Sequence, residues 1–513
     1  MPARSARSPS RTSRGGASAA RKSPAAKRVK KSAPTGGTTT TIGGGTAAKP
    51  KEQRWLLRQR DSFGWPFLIC CCTVYFAQGF RSLSALATQF YLKDVVRLEP
   101  AAIQALLSAA AVPWSLKPLY GLTSDAFAIF GQHRRPYLVV AALVGVLSWC
   151  GLAIVAAPRA GGDDAAYDAG RWRTLWVLST LLWFSNFSTA LSDVIVDAMV
   201  AERCGEAARA AEARGDADAA AAGTEGENAL QSLCWGSLAV GGLAGSAFGM
   251  VASATVPTWV VFVLTASCPA LVLLASRALT EPPVAATAAV TGLAAVRKQG
   301  AALLGALRQP AIWRPLLFFL LQHALVPSPS QAMLFFQTDV LGFSQAFLSA
   351  QSLVGYGFLL VGTAVYSRYV QGAPFIRIFA CAQLAAIGMS LLDVLLATRY
   401  THRLGLPDRA FVLGTDAVGT VLDRVSAQPF FVIAARLCPV GCEASLYAFF
   451  MSTYNFGNTL SGVFGAALTP LFGVEQGKYE GLSRLLLLRA ACGLLPLALL
   501  RPLLSSVDRL KPE

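Results

Sequence analysis

The feature that this 513-residue sequence most lacks is charge. Only 14% of its residues are Asp, Glu, Lys or Arg, whereas 54% are hydrophobic. Soluble globular proteins carry roughly 25% charged residues, and a chain of this length needs them to cover its surface. The composition therefore excludes a soluble globular fold and indicates an integral membrane protein.

Histidine is also scarce, and the cysteines follow no pattern. The three histidines, His133, His323 and His402, lie far apart and show neither CxxC nor HExxH spacing. The eleven cysteines lie in or beside apolar stretches rather than in polar loops. We therefore predict no metal site, no cofactor and no disulfide framework.

Acidic residues are nearly absent from positions 1–60, where Glu52 is the only one beside 15 of the 45 basic residues. This segment carries +14 of the net +17, and its lack of periodic apolar positions predicts a disordered basic tail. Its composition resembles an organelle transit peptide, and the alternative is a cytosolic tail attracted to anionic lipid. Because the rest of the chain is nearly neutral, no nucleic-acid partner is expected.

Beyond position 60 the sequence divides into apolar runs of about 20 residues, the length that crosses a bilayer. Twelve spans are predicted, near 65–90, 101–122, 137–157, 174–197, 229–252, 258–277, 312–334, 344–366, 377–397, 411–435, 444–470 and 485–504. They indicate an all-α integral membrane protein with twelve transmembrane helices in two pseudo-symmetric six-helix halves.

The longest connection separates these halves, which gives a domain organisation. The segments are the N-terminal half at 61–280, a cytosolic linker at 281–311, the C-terminal half at 312–505 and a short tail at 506–513. An even number of spans places both termini on one side of the membrane. The excess of Arg and Lys in the tail and in one set of connections predicts that this side is cytosolic.

A faint internal repeat supports two related halves, which are typical of secondary transporters. The fifth span has Gly236, Gly241 and Gly245, and the eleventh has Gly457, Gly462 and Ala466 at the same intervals. For Gly241, Gly245 and Gly249 we favour close helix packing over any substrate role, since small residues let backbones approach in lipid.

Polar residues inside the spans are the functional candidates, because a charge at the bilayer centre costs at least about 2.5 kcal/mol. Several converge near the midplane, where transporters hold substrate. The predicted substrate-binding residues are Arg81, Asn186, Trp235, His323, Asp423 and Asn455. Arg81 would capture an anionic group or form a structural pair, and His323 suits a packing role better than a proton relay. Asp423 and Arg424 point about 100° apart on a helix, so they cannot face one cavity together.

A second polar group lies closer to the cytosol. Asp193 and Asp197 share one helical face at i and i+4, and Lys117 lies at a comparable depth. Two carboxylates beside one cation suit proton coupling, and the alternative is a static Lys117–Asp193 clamp at the cytosolic gate. Asp125, followed by His133-Arg134-Arg135, resembles the brace between spans two and three of the major facilitator superfamily.

Five segments together resemble the folate-biopterin transporter family within that superfamily. They are VPWSLKPLYGLTSD at 112–125, RRPY at 134–137, SDVIVDA at 192–198, LQSLCWG at 230–236 and ARLCPVGCEA at 435–444. The resemblance implies a major facilitator fold that moves folates or pterins with proton coupling. It also implies gating or proton-coupling roles for Lys117, Asp125, Asp193, Asp197, Arg436 and Glu443.

The substrate chemistry is consistent with this resemblance. A pterin edge offers adjacent N–H donors that Asp193 or Asp423 could accept in pairs, a glutamate tail suits Arg81, and Trp235 could stack on the ring. We predict a monomeric, proton-coupled secondary transporter in the lipid bilayer, working by alternating access and not an enzyme. The plasma membrane and the plastid envelope both stay open, and the alternative function is a major facilitator carrier for another organic solute.

Overall fold

The computed structural model describes residues 59–60, 63–158, 164–212, 217–253, 255–281, 292–437, 443–505 and 507. The predicted tail at 1–60 thus lies outside the described residues except for its last two positions, and so do 508–513 and the linker positions 282–291. The described residues form helices, with no β-strand among them beyond two isolated bridges.

The N-terminal half is built from eight α-helices in the residues described. These are α1 (Trp65–Phe80), α2 (Ser82–Phe90), α3 (Pro100–Ala110), α4 (Lys117–Ala126), α5 (Arg135–Ala156), α6 (Asp164–Glu212), α7 (Ala217–Ala252) and α8 (Thr258–Arg277). A π-helical turn at Tyr91–Val95 extends α2, and a 3-10 turn at Val112–Leu116 joins α3 to α4. Pro113 lies in that turn, where it prevents one continuous helix.

The linker and the C-terminal half continue the pattern. Their helices are α9 (Leu293–Leu307), α10 (Pro310–Ala324), α11 (Ser330–Asp339), α12 (Gln345–Val365), α13 (Phe375–Ala397), α14 (Tyr400–Arg403), α15 (Asp408–Leu437), α16 (Glu443–Leu471), α17 (Leu482–Cys492) and α18 (Leu494–Leu504). The linker predicted at 281–311 therefore contains a helix, α9. Pro327 and Pro329 lie in the gap between α10 and α11.

All twelve predicted spans coincide with helical segments. Within the described residues, seven are long and apolar enough to cross a membrane, namely Trp65–Val95, Arg135–Ala156, Leu230–Ala252, Thr258–Arg277, Gln345–Val370, Phe375–Ala397 and Leu482–Leu504. The spans at 101–122 and 312–334 are interrupted by non-α turns, and those at 174–197, 411–435 and 444–470 also fall outside this set. Membrane crossing by these five segments stays a prediction.

Two aromatic and aliphatic cores stabilise the halves. Cys71, Leu138 and Ile195 belong to a buried cluster of the N-terminal half, whereas Phe319 and Phe430 belong to one of the C-terminal half. The Phe319 and Phe430 rings meet edge to face, with centroids 4.7 Å apart. Such packing holds each half together without any disulfide among the described cysteines.

Glycines set the closest helix contacts, as the sequence predicted. A Cβ on Gly241 of α7 would lie 2.2 Å from the carbonyl oxygen of Phe76 on α1. A Cβ on Gly462 of α16 would lie 2.3 Å from the Ser108 hydroxyl of α3, in the other half. Gly241 and Gly462 therefore lie at close helix contacts, one within the N-terminal half and one between the halves, whereas a Cβ on Gly236 of the same repeat would meet nothing within 4 Å.

Candidate functional site

A polar cavity of about 1030 Å³ opens between α3, the 3-10 turn and the helices of the C-terminal half. Of the predicted substrate-binding residues, His323, Asp423 and Asn455 lie on its wall. Further polar residues of the wall are Gln104, Trp114, Gln322, Gln331, Gln383, Asp393, Asp416, Tyr454, Asn458 and Arg489. The volume suits a drug-sized organic molecule, since such pockets run to about 1,000 Å³.

Three charged residues of this wall were missed by the sequence analysis. Asp393 on α13, Asp416 on α15 and Arg489 on α17 all face the cavity. The side-chain amide of Gln351 donates a hydrogen bond to Asp416, and Arg489 lies on the same wall as the three aspartates. All three lie within predicted spans, so the rule that singled out Asp423 could have found them as well.

Arg81 and Asn186 lie beside the cavity rather than on its wall. Arg81 donates to the hydroxyl of Thr189 at 2.7 Å and to the side-chain oxygen of Asn186 at 3.2 Å. Its guanidinium also lies 5.8 Å from the ring centroid of Trp149. Among the described residues Arg81 forms no ion pair, and its structural contacts with a neighbouring helix are these hydrogen bonds to Thr189 and Asn186 of α6.

Trp114 connects Arg81 to the cavity. Its indole N–H donates to the same Asn186 oxygen at 3.1 Å, and its carbonyl accepts a hydrogen bond from Asn455 at 3.4 Å. Trp114 itself lies on the cavity wall. Arg81, Asn186 and Asn455 of the predicted midplane group are thus connected through Trp114, and Asn186 separates Arg81 from Trp114 on the cavity wall.

Lys117, Asp193 and Asp197 meet as the helical spacing predicted. Lys117 Nζ lies 2.5 Å from Asp193 Oδ2, and both side chains are about nine-tenths buried, at 10% and 8% exposure. Gln78 donates to the other Asp193 oxygen at 2.8 Å, and the Tyr75 hydroxyl donates to Asp197 at 2.5 Å. One cation and two carboxylates therefore share a site sealed between α1, α4 and α6.

Trp235 lies away from the cavity wall, at a contact between the two halves. The guanidinium of Arg424, on α15, lies 4.6 Å from its ring centroid. The Phe431 ring lies 5.8 Å away and the Tyr75 ring 6.4 Å away. Because Arg424 covers one face of Trp235, substrate stacking there stays a prediction that the arrangement does not favour. Arg424 also donates to Thr363 at 2.9 Å.

The predicted Asp125–Arg134 brace is present at one end of the helix bundle, which we call the Arg134 end. Arg134 contacts Asp125 and Glu202, each at 2.5 Å. Burial alone would lower the pKa of Arg134, but these two carboxylates outweigh it and raise the pKa. Gln299 of α9 donates to Asp125 and to Ser445 of α16, both at 3.2 Å, so the brace reaches the C-terminal half.

Glu281 was missed by the sequence analysis, although it caps a helix at this end. Its carboxylate accepts hydrogen bonds from the backbone N–H groups of His133, Arg134 and Arg135 at 2.8–3.2 Å. Arg436 lies in the last turn of α15, and Glu443 is the first residue of α16. The side chain of Glu443 lies outside the part of the chain that is described.

A second set of contacts closes the opposite end of the bundle, which we call the Lys93 end. Lys93 Nζ lies 2.8 Å from Asp339, and the Tyr479 hydroxyl donates to the same carboxylate at 2.5 Å. Gln331 donates to Gln89 at 3.2 Å. Contacts between the halves thus exist at both ends, with the large cavity between them.

Replacing Asp339 by Asn should lower the free energy of unfolding by about 1.5–3 kcal/mol, the usual contribution of a hydrogen bond to a charged group. Burial would raise the pKa of Asp339, but Lys93 and Tyr479 outweigh it and lower the pKa. The contact is therefore stabilising above the ordinary carboxyl pKa and is lost as the pH falls through the lowered value. The unfolding temperature of the variant in detergent should lie below that of wild type, and this difference should become smaller at acid pH.

The control for this prediction is Glu475→Gln, which breaks the exposed pair with Lys478 at the same end. Exposed pairs contribute at most about 1 kcal/mol, so this variant should unfold close to wild type at every pH. An Asp339→Asn variant as stable as this control would contradict the role given to the Lys93 contact.

The sequence and the fold both have known relatives. A family model described as the BT1 family matches residues 78–511. An Arabidopsis thaliana protein named "Probable folate-biopterin transporter 4" is 31% identical over 503 residues, covering 87% of this chain and 97% of that protein. The "Folate-biopterin transporter" of Synechocystis sp. is 33% identical over 437 residues, covering 84% of this chain and 81% of that protein.

Solved structures resemble the fold at much lower identity. A D-xylose-proton symporter gives a TM-score of 0.59 at 15% identity, covering 85% of this chain and 97% of that one. A POT family transporter in complex with a thioalcohol-conjugated peptide gives 0.61 at 12% identity, with coverage of 88% and 99%. These are major facilitator transporters, and the likeness confirms the fold class that the sequence predicted.

Proposed function

This chain belongs to the BT1 family and is a membrane transporter rather than an enzyme, and we propose that it moves folates, pterins or both across a membrane. The resemblance to the folate-biopterin transporter family is thereby confirmed. The substrate proposal rests on the names that these relatives carry and on the chemistry of the cavity. The observation that carries it is the large polar cavity, whose wall bears carboxylates beside the aromatic Trp114.

The two ends of a folate molecule match two parts of this region. The pterin edge presents adjacent N–H groups, which a carboxylate such as Asp423 accepts in pairs. The glutamate tail presents carboxylates, which suit the planar guanidinium of Arg81. The hydrogen bonds through Asn186 and Trp114 connect Arg81 to the cavity wall, and binding of the glutamate tail would require Arg81 to exchange its hydrogen bonds to Thr189 and Asn186 for the tail carboxylates.

Proton coupling is assigned to the site of Lys117, Asp193 and Asp197. A carboxylate that gains a proton changes both its charge and its hydrogen bonds, so it can favour one arrangement of the neighbouring helices over another. Asp197 contacts Tyr75 of α1, and the Tyr75 ring lies beside Trp235, which meets Arg424 of the C-terminal half. The site thus has a physical route to the interface between the halves, as alternating access requires.

The orientation proposed for the chain places the Arg134 end and both termini on the cytosolic side. The excess of Arg and Lys in the connections at that end supports it. A reporter fused to either terminus should therefore be inaccessible from outside intact cells, and the same fusions would show which membrane holds the protein. A terminus that is accessible from outside would contradict the proposed orientation.

Uptake by an auxotroph tests the proposed function directly. Cells that express the chain should accumulate folic acid, a reduced folate or biopterin with saturable kinetics, and more so with an inward proton gradient. Unlabelled pterins should compete, whereas amino acids and sugars should not. Saturable uptake of none of the three compounds would overturn the substrate proposal, and uptake without a response to pH would overturn proton coupling.

Replacement of Arg81 by Ala should lower folate uptake at least about tenfold, because charged hydrogen bonds are worth about 1.5–3 kcal/mol. Biopterin, which lacks the glutamate tail, should lose far less and is the matched control for folding. Arg81→Lys keeps the charge but not the planar fork of donors and should recover only part of the folate uptake. Unchanged folate uptake in Arg81→Ala would show that the tail is bound elsewhere.

A further inference from the structure

The wall of the large cavity has an excess of negative charge. Among the described residues that line it, Asp393, Asp416 and Asp423 are carboxylates, and Arg489 is the single Arg or Lys. His323, the other titratable base there, has its ring against Tyr454, with centroids 4.4 Å apart, and its Nδ1 3.2 Å from the carbonyl oxygen of Phe319. Carboxyl groups thus outnumber fixed cations by two on this wall.

The same wall has hydrogen-bond acceptors that no described donor satisfies, together with one unsatisfied donor, Arg489 Nε. Asp393 and Asp423 accept no hydrogen bond from the described residues, and the amide of Gln351 is the described donor to Asp416. Gln331, only 5% exposed, lines the cavity, and its Oε1 is a buried acceptor that no described group satisfies. Because an unsatisfied buried acceptor is costly, Gln331 favours a ligand that brings an N–H or O–H donor, and the aspartate oxygens can accept further hydrogen bonds from the same ligand.

Arg81, which we assign to an acidic tail, does not offset this charge, since it lies off the wall and is bonded to Thr189 and Asn186. A ligand with two carboxylates would therefore bring like charges into the space bounded by the three aspartates. Like charges placed next to each other at a binding site weaken binding. A neutral heterocycle with N–H donors meets no such penalty.

We infer that Asp393, Asp416 and Asp423 bind the N–H donors of an uncharged or cationic heterocycle and make the cavity select pterins without a glutamate tail over folates. This inference rests on the proposed function and names the substrate class within it. Asp393 and Asp416 are its new specificity-determining residues. Arg489 is the fixed cation on the same wall, and Gln331 adds a further acceptor.

Competition in proteoliposomes tests the charge selection. Purified full-length protein is reconstituted, and the uptake of labelled biopterin is measured in the presence of unlabelled biopterin, folic acid or folic acid dimethyl ester. The ester keeps the whole folate skeleton but removes both negative charges, so it should compete about as well as biopterin. Folic acid should need at least about a tenfold higher concentration, since a factor of ten corresponds to 1.4 kcal/mol. Equal competition by the acid and its ester would overturn the inference without any variant.

The variants Asp393→Asn and Asp416→Asn assign the effect to residues. Each keeps the size of its side chain. Each should reduce the ratio between the competing concentrations of folic acid and of its ester by about threefold or more. Glu475→Gln, an exposed carboxylate at the Lys93 end, is the matched control and should leave this ratio unchanged. A ratio that persists in both Asn variants would overturn the assignment, whereas no saturable uptake of any pterin would overturn the proposed function instead.

Discussion

Asp193→Asn is expected to abolish transport and to destabilise the folded chain by about 3–5 kcal/mol, the cost of breaking a buried ion pair. Lys117 Nζ lies 2.5 Å from this carboxylate in a site where both side chains are about nine-tenths buried. The substitution leaves the ammonium group without its counter-ion, and the neighbouring Gln78 cannot replace it because an amide carries no charge. Uptake measurements and thermal unfolding in detergent should show both losses.

The double variant Lys117→Gln/Asp193→Asn separates the two roles that the sequence left open for this pair. Removing both charges abolishes the desolvation cost, so most of the stability lost in Asp193→Asn should return. If the pair takes part in proton coupling, the double variant should still exchange substrate across the membrane, but it should no longer accumulate substrate in response to a pH gradient. A double variant that accumulates substrate like wild type would identify the pair as a static clamp.

Tyr75→Phe is the control for local disturbance, because it removes a single hydroxyl from the same site. The Tyr75 hydroxyl donates to Asp197, and the ring packs beside Trp235. Its loss should cost about 1–3 kcal/mol and leave the Lys117–Asp193 pair intact. If Tyr75→Phe lost as much transport as Asp193→Asn, the loss in Asp193→Asn could be caused by local disturbance of the site and not by removal of the charge.

The helical architecture could be predicted from the sequence because it depends on local properties. Span length and hydropathy are set by about 20 neighbouring residues, and every predicted span coincides with a helical segment. The Lys117–Asp193 contact was also predictable, since i, i+4 spacing fixes a helical face and similar depth brings the two side chains level. Likewise Asp423 faces the cavity while Arg424 covers Trp235, as their 100° separation requires.

The wall of the cavity could not be predicted in the same way. Distance along a span gives the depth of a residue, but not the direction in which its helix is turned against its neighbours. Arg81 and Asp423 lie at similar predicted depths, yet only Asp423 reaches the wall. Trp235 has the chemistry for stacking, but tertiary packing places Arg424 over its ring. These outcomes depend on contacts between helices far apart in sequence.

Gly241→Ala is expected to destabilise the protein by at least about 3 kcal/mol, at the upper end of the cost of overpacking. The new Cβ would lie 2.2 Å from the Phe76 carbonyl oxygen, a backbone atom that cannot move aside without separating α1 from α7. The unfolding temperature in detergent and the amount of protein in the membrane should both fall.

Gly236→Ala is the matched control on the same helix, because a Cβ there meets nothing within 4 Å. Since Ala favours a helix over Gly by about 0.5–1 kcal/mol, this variant should be as stable as wild type or slightly more so. Equal stability of the two variants would contradict the close-packing role of Gly241. Transport should fall with stability in Gly241→Ala, because the contact at Phe76 fixes the turn of α1 that presents Tyr75 to Asp197 and Gln78 to Asp193.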